Sequence, residues 1–226
     1  MNVAHPHMKM KSPADSFQCP PGYQIRDMLK DDVEKVTDIH LRSFPGFFLS
    51  FLGPPFLRQF YGAMTESRHG AALVICRQNE VAGFICGSND ISGFYRDLIK
   101  TRWLQLSLAS LPAMLKKPST AVRLLRATIT KSKAAGENKA SGELSSIAVQ
   151  PEWEGKGLGQ ALLKAFMEKM KSLGSDELTL ATDRDNNDRA NAFYIQSGFA
   201  LTGTYKTPEG RWLNEYTIKL QVDCFD

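Results

Sequence analysis

The sequence predicts a chain of the α/β class, with strand and helix patterns interleaved in one domain. Three stretches carry that expectation. Residues 142–159 (GELSSIAVQPEWEGKGLG) run from a short apolar strand into a glycine-rich turn, and the amphipathic run QALLKAFMEKMKSLG follows at once. Two apolar segments, Ala71 to Cys76 and Val81 to Cys86, flank the turn residues Arg77, Gln78, Asn79 and Glu80 as a hairpin does. The last stretch, ALTGTYKTPEGRWLNEYTIKL, alternates like two strands about Pro208, Glu209 and Gly210.

At 226 residues with 42% hydrophobic composition, the chain is long enough for one large core. No apolar run is long enough to span a bilayer, and the first residues lack the apolar segment of a signal peptide. Residues 1–21 read as a polar leader and residues 22–222 as a single domain, in a cytoplasmic protein. Cys19, Cys76, Cys86 and Cys224 show neither close pairing nor zinc spacing, so reduced, buried thiols are expected. His5 and His7 stand too isolated for a metal site, and none is expected elsewhere. The formal charge is +4.

Tyr23 to Met28 alternates as a strand. Asp31 or Asp32 is placed to cap a helix over VEKVTDIHLRSF, whose Val33, Val36, Ile39 and His40 recur at helical spacing. Phe44 to Leu52 is an apolar connection broken by Pro45, Gly46 and Gly53, and a second helix is expected from Pro55 through Met64. After the hairpin comes an excursion, about residues 89–140, that reads as helical with breaks at Pro112 and Pro118. It gathers Arg96, Lys100, Arg102, Lys116, Lys117, Arg123, Arg126, Lys131 and Lys133 against few acids. That face is solvated, or it meets an anionic acceptor, a cofactor phosphate or a membrane surface. No nucleic-acid module is recognisable. Gly174 ends the helix after the glycine turn, Glu177 to Thr182 is a strand, and Gly198 stops a short helix within DRDNNDRANAFYIQSGF.

The glycine turn is a cradle for phosphate. Glycines permit positive φ and close backbone approach, and the first turn of the helix leaves N–H groups unpaired with the helix dipole behind them. It is not G-x-x-x-x-G-K-[ST], nor G-x-G-x-x-G, since the sixth position falls on Gln160 or Leu162. Gly155, Gly157 and Gly159, with Lys156 between, resemble instead the [QR]-x-x-G-x-[GA] signature of the GNAT N-acetyltransferase superfamily. Glu154 stands where that signature has Gln or Arg. Asn187, Ala190, Phe193, Tyr194, Gly198 and Phe199 match the family's N-x-x-A-x-x-F-Y-x-x-x-G-F pattern. Both motifs occur in order, separated by one helix and one strand.

The resemblance covers about Tyr23 to Leu220 apart from the excursion. It implies the GNAT acyl-CoA N-acyltransferase fold: a central mixed, mostly antiparallel sheet of six to seven strands flanked by helices, here with a helical insertion between the third and fourth strands. It implies acetyl-CoA as co-substrate, its pantetheine arm along Ile147, Ala148 and Val149 and its pyrophosphate on Gly155, Lys156, Gly157, Leu158, Gly159 and Gln160. Asn187 would hydrogen-bond the pantetheine or the phosphate arm. An attacking amine must lose a proton, since an alkylammonium has a pKa near 10. Glu143 occupies the place of a general base, or else only caps a strand end; Asp183 and Asp185 rank second. Tyr194 would be the general acid to the sulfur, or would simply pack. The expected reaction is direct acetyl transfer to a primary amine of a small molecule, such as an amino sugar or sugar nucleotide. The competing readings are a peptide or protein amine, and a CoA-binding or membrane-surface module without turnover. The sequence leaves oligomeric state open, a homodimer included.

Overall fold

The computed structural model describes residues 19–116, 141–207 and 210–220. Within them a seven-stranded sheet runs in the order β1-β2-β3-β4-β5-β7-β6. The strands are β1 (Gln24–Asp27), β2 (Gly70–Arg77), β3 (Glu80–Ser88), β4 (Ser141–Val149), β5 (Glu177–Asp183), β6 (Ala200–Lys206) and β7 (Trp212–Lys219). Every neighbouring pair is antiparallel except β4 and β5. The helices are α1 (Val33–Ser43), α2 (Phe48–Leu52), α3 (Pro54–Glu66), α4 (Ile91–Lys116), α5 (Leu158–Ser172) and α6 (Asp188–Gln196).

The sheet is covered on both faces, which is why AALVIC and VAGFIC read as unbroken apolar runs. Along β2, Ala72, Val74 and Cys76 join Val36, Ile39, Leu57, Phe60, Tyr61 and Phe94 in one core. Ala71, Leu73 and Ile75 turn the other way and meet Leu158, Leu162, Phe166 and Met170 of α5. The β2–β3 turn places Gln78 and Asn79 at positive φ, as a two-residue hairpin turn requires.

Several local expectations are corrected. Asp32 stands at the N-cap of α1 but makes no capping bond. Its carboxylate instead accepts Arg26 at 2.5 and 2.8 Å and the Leu29 N–H at 2.7 Å. The connection after α1 contains the helical turn α2, and α3 starts at Pro54. In the excursion the break falls at Arg102, not at Pro112, which sits inside α4. Pro112 and Leu108 are both exposed, so water can serve the carbonyl left without a donor. Arg102 departs from helical geometry while its guanidinium reaches Glu66 at 2.5 Å and Gln59 at 3.1 Å on α3. One cation counted toward an anionic surface is thus committed inside the fold. Past it, Trp103, Leu104, Leu108, Leu111 and Leu115 are exposed. The residues 1–18, 117–140, 208–209 and 221–226 lie outside the described set. They include His5, His7, Cys224, Pro118, Lys117, Arg123, Arg126, Lys131, Lys133 and the Pro208–Glu209 turn. Among the described residues no helix is long and apolar enough to cross a membrane.

Candidate active site

The site is built where β4 leaves β5. The two strands pair only from Ser141↔Glu177 to Glu143↔Thr179. Beyond that point β5 continues on β7 alone, and β4 continues on β3 alone to Gly83↔Val149. Ile147, Ala148 and Val149 therefore lie on a strand with one flank unclaimed, the geometry that accepts an extended ligand by strand addition. β4 also carries a bulge: the register passes from Cys86↔Ser146 to Gly87↔Leu144, leaving Ser145 as the extra residue. The bulge changes which face later side chains take. Leu144 joins the core under α5, as do Ile147 and Val149, whereas Ala148 joins the core under α1 and α3. A Cβ at Gly87 would overlap the Glu143 carbonyl oxygen, so glycine is required for this approach.

Glu143 stands at the last β4–β5 pair, opposite Ser88 of β3. Its charge is felt by Tyr95 on α4. Burial lifts the Tyr95 phenol well above its usual value, and the Glu143 carboxylate and Cys86 thiol add to the effect. Leu144 joins the core under α5, so its neighbour Glu143 faces the opposite side of the sheet, where Tyr95 packs. Both second-ranked acids are paired with arginines. Asp183 takes Arg211 at 2.9 and 2.5 Å, and Asp185 takes Arg184 at 2.8 Å, which holds its carboxyl below the usual range. The Arg211 guanidinium also lies 4.7 Å from the Phe47 ring centroid. It thereby ties the connection after α1 to the β6–β7 turn across the end of β5.

The glycine turn enters α5 with Gly155 at φ 73° and Gly157 at φ 75°, and no side chain caps the helix. The N–H groups of Leu158, Gly159 and Gln160 have no intrahelical acceptor by the geometry of a first turn. A Cβ at Gly155 or Gly157 would meet nothing within 4 Å, so the loop borders open space. Bare amides and a helix dipole that face open space fit a diphosphate. Lys156 lays its ammonium 4.6 Å from the Trp153 ring centroid, and Trp153 packs edge-on against Tyr23. Glu154 is paired with Arg189 of α6 at 2.7 Å, so the departure from the signature carries its own counter-charge. Asn187 is the N-cap residue of α6; its amide nitrogen donates to Thr182 Oγ1 at 2.8 Å and to the Asp183 carbonyl at 3.3 Å.

Tyr194 is 7% exposed and packs against Phe193, Phe199 and Tyr216. Burial drives its phenol far above the usual value, so it stays protonated and able to donate. The α5 start and α6 abut, since a Cβ on Gly159 would lie 3.6 Å from the Phe193 ring. Sequence reasoning missed Tyr95, Arg189, Arg211 and Ser145. For Ser145 a signal existed: the apolar phase slips between Leu144 and Ile147, which a bulge explains. Among the described residues no group of three or more His, Cys, Asp or Glu is placed to hold a metal.

Comparison with known proteins identifies the family and the fold. The Acetyltransferase (GNAT) family matches residues 33–199. A mycothiol acetyltransferase of Propionibacterium freudenreichii is 35% identical over 68 residues, 30% of this chain and 22% of that protein. N-alpha-acetyltransferase 30 of Schizosaccharomyces pombe is 31% identical over 77 residues, 34% of this chain and 51% of that protein. The matched part thus spans about a fifth of the mycothiol acetyltransferase and half of the other. Among solved structures, a GNAT-family acetyltransferase of Desulfovibrio desulfuricans superposes with TM-score 0.60 at 14% identity, covering 88% of this chain and 99% of its own. A Salmonella typhimurium acetyltransferase solved with its cofactor acetyl-CoA superposes with TM-score 0.57 at 15% identity, covering 90% and 96%. With the matched profile running through both motifs and most of the chain, this protein belongs to the GNAT acetyltransferase family, whose co-substrate is acetyl-CoA.

Proposed function

We propose that this chain, acting as one cytoplasmic domain over residues 22–222, transfers the acetyl group of acetyl-CoA to a primary amine of a small molecule. The observation that carries the reading is the parting of β4 from β5 immediately after Glu143. Acetyl-CoA brings an acetyl group activated as a thioester. Ile147 to Val149 would hold its arm, and the amides of Leu158 to Gln160, with Gly155 to Gly157 behind them, its pyrophosphate. Asn187 fixes the entry to α6 and so the placement of Tyr194.

The amine approaches from the face on which Glu143 and Tyr95 lie. Glu143 takes its proton, directly or through one water, as the nitrogen bonds to the thioester carbon. As the C–S bond breaks, Tyr194 donates its phenolic proton to the departing sulfur. The products are the amide and the free thiol of CoA, and Tyr194 regains a proton from solvent. No acyl-enzyme is involved. The Arg211–Phe47 contact crosses the end of β5, and a rim closed there would favour a small acceptor over a peptide. The partial likeness to mycothiol acetyltransferases points the same way, and that to an N-alpha-acetyltransferase points to the runner-up, a peptide amine.

Thiol release from acetyl-CoA, measured against amino sugars, amine-bearing sugar nucleotides and peptides, tests the proposal. Stimulation by a small amine supports it. Stimulation by peptides alone selects the runner-up, and CoA binding with no amine-stimulated release rejects catalysis. In Glu143→Gln the rate falls about 10²–10³-fold, most at low pH, where the amine is mostly protonated. A mutant-to-wild-type ratio that stays flat across pH rejects the base.

A further inference from the structure

We propose that the Ser145 hydroxyl donates a hydrogen bond to the acetyl carbonyl oxygen during transfer, a catalytic residue that neither sequence motif contains. The inference rests on the acetyl-transfer reading above.

The first observation is position. Ser145 is the inserted residue of the β4 bulge, between Leu144 and Ser146 in the register with β3. It lies two residues past Glu143, where the β4–β5 ladder has ended. The reacting carbonyl has to sit within reach of the base at that same junction.

The second is an unpaid donor. Ser145 Oγ is buried and has no hydrogen-bond partner. Its neighbour Ser146, and the two hydroxyl residues paired with Glu143, are engaged. Ser146 bonds the Tyr61 and Cys86 side chains. Ser88 Oγ donates to the His69 carbonyl at 2.7 Å, and Thr179 Oγ1 donates to the Gly142 carbonyl at 3.1 Å. A buried hydroxyl is almost always satisfied in a folded protein, so one left open beside a reaction centre needs an occupant. Among the described residues the other buried side-chain polar atoms without partners, Thr37 Oγ1, His40 Nε2 and Asn89 Oδ1, lie on α1 and after β3 rather than along β4.

The third is chemistry. As the amine nitrogen bonds to the thioester carbon, negative charge gathers on the carbonyl oxygen. A donor already fixed in a dry site stabilises that charge without having to reorganise. The serine keeps its proton throughout. The amine proton goes to Glu143, and the sulfur proton comes from Tyr194, so no atom is left unbalanced. Filling the open hydrogen bond only in the complex also makes Ser145 a cost to the free protein and a gain to the reacting one.

Full-length Ser145→Ala is the test, read four ways. Denaturant unfolding of the free protein should show unchanged or higher stability, because an orphaned polar group is removed. Calorimetric affinity for CoA should be unchanged. The carbonyl ¹³C resonance of bound [1-¹³C]acetyl-CoA should move upfield from its wild-type position as the hydrogen bond is lost. Turnover should fall about 10- to 100-fold, and Ser145→Thr should recover most of it. An alanine variant whose carbonyl resonance matches wild type overturns the proposal, as does one that loses stability and CoA affinity together. Ser145→Cys, close in size and a poor donor, repeats the comparison where alanine does not fold; failure of both to fold also overturns it. If wild type acetylates no amine, the proposed function fails and the ¹³C shift alone decides the Ser145 contact.

Discussion

The two flanks of β4 are opposites. Toward β3 the strand is zipped from Ser88↔Glu143 to Gly83↔Val149, with glycine at 87 admitting the Glu143 carbonyl. Toward β5 it is zipped only as far as Glu143↔Thr179. A sheet seldom leaves half a central strand without a second neighbour, because buried backbone groups must find partners. The difference teaches that the closed flank carries stability, while the open flank is the one the proposed function assigns to the ligand. Mutations on the two flanks should therefore separate.

The largest effect is expected on the open side. Tyr194→Phe keeps the ring packing against Phe199 and Tyr216 but removes the hydroxyl proposed as the acid. Turnover should fall about 100-fold or more with acetyl-CoA affinity unchanged, measured by thiol release and calorimetry. Unaltered turnover would remove the acid role and leave Tyr194 as packing.

The next concerns the closed side. His40 is 2% exposed, shares a 2.6 Å hydrogen bond with the Tyr61 hydroxyl, and is pushed down by burial from 6.5 to about 4. Between those values the unfolded chain holds a proton on this ring that the folded chain does not. Stability therefore falls as pH is lowered from 6.5 to 4, by about 3 kcal/mol from this group. Urea unfolding at pH 7 and pH 4.5 measures it. His40→Gln should be less stable at pH 7 and should flatten the slope. An equal slope in the variant would assign the loss to other groups.

The smallest is at the loop. Ala in the left-handed region costs about 1–2 kcal/mol. Gly157→Ala should relieve this by turning the loop away, weakening acetyl-CoA about tenfold while the unfolding midpoint moves little. An equal loss of midpoint and affinity would mean that the loop is part of the stability core after all.

Much of this was legible in the sequence where one element carries its own signal. The hairpin of β2 and β3, the glycine entry to α5 and the run ending at Gly198 all follow from local rules: turn residues, positive φ and periodicity. What escaped depends on partners far along the chain. Pro112 was expected to break α4, yet the interruption is at Arg102, set by Glu66 and Gln59 on α3. Glu154 departs from the family signature, and its counter-charge, Arg189, lies 35 residues on. Asp183 and Asp185 looked like spare bases until their arginines were found. Asp32 has the right type and place for a cap, but Arg26 and Leu29 hold it elsewhere.

The extra residue in β4 works like a frameshift in a two-letter code. Upstream of it, even-numbered side chains belong to the layer beneath α5; downstream, odd-numbered ones do. Excising that single residue would leave every apolar letter in the strand intact. Yet it would swap the layers for everything on one side of the cut, driving Glu143 through the sheet or Ile147 and Val149 away from it. One strand thus turns Glu143 away from the α5 layer and Ile147 and Val149 toward it only because its pattern changes phase between them.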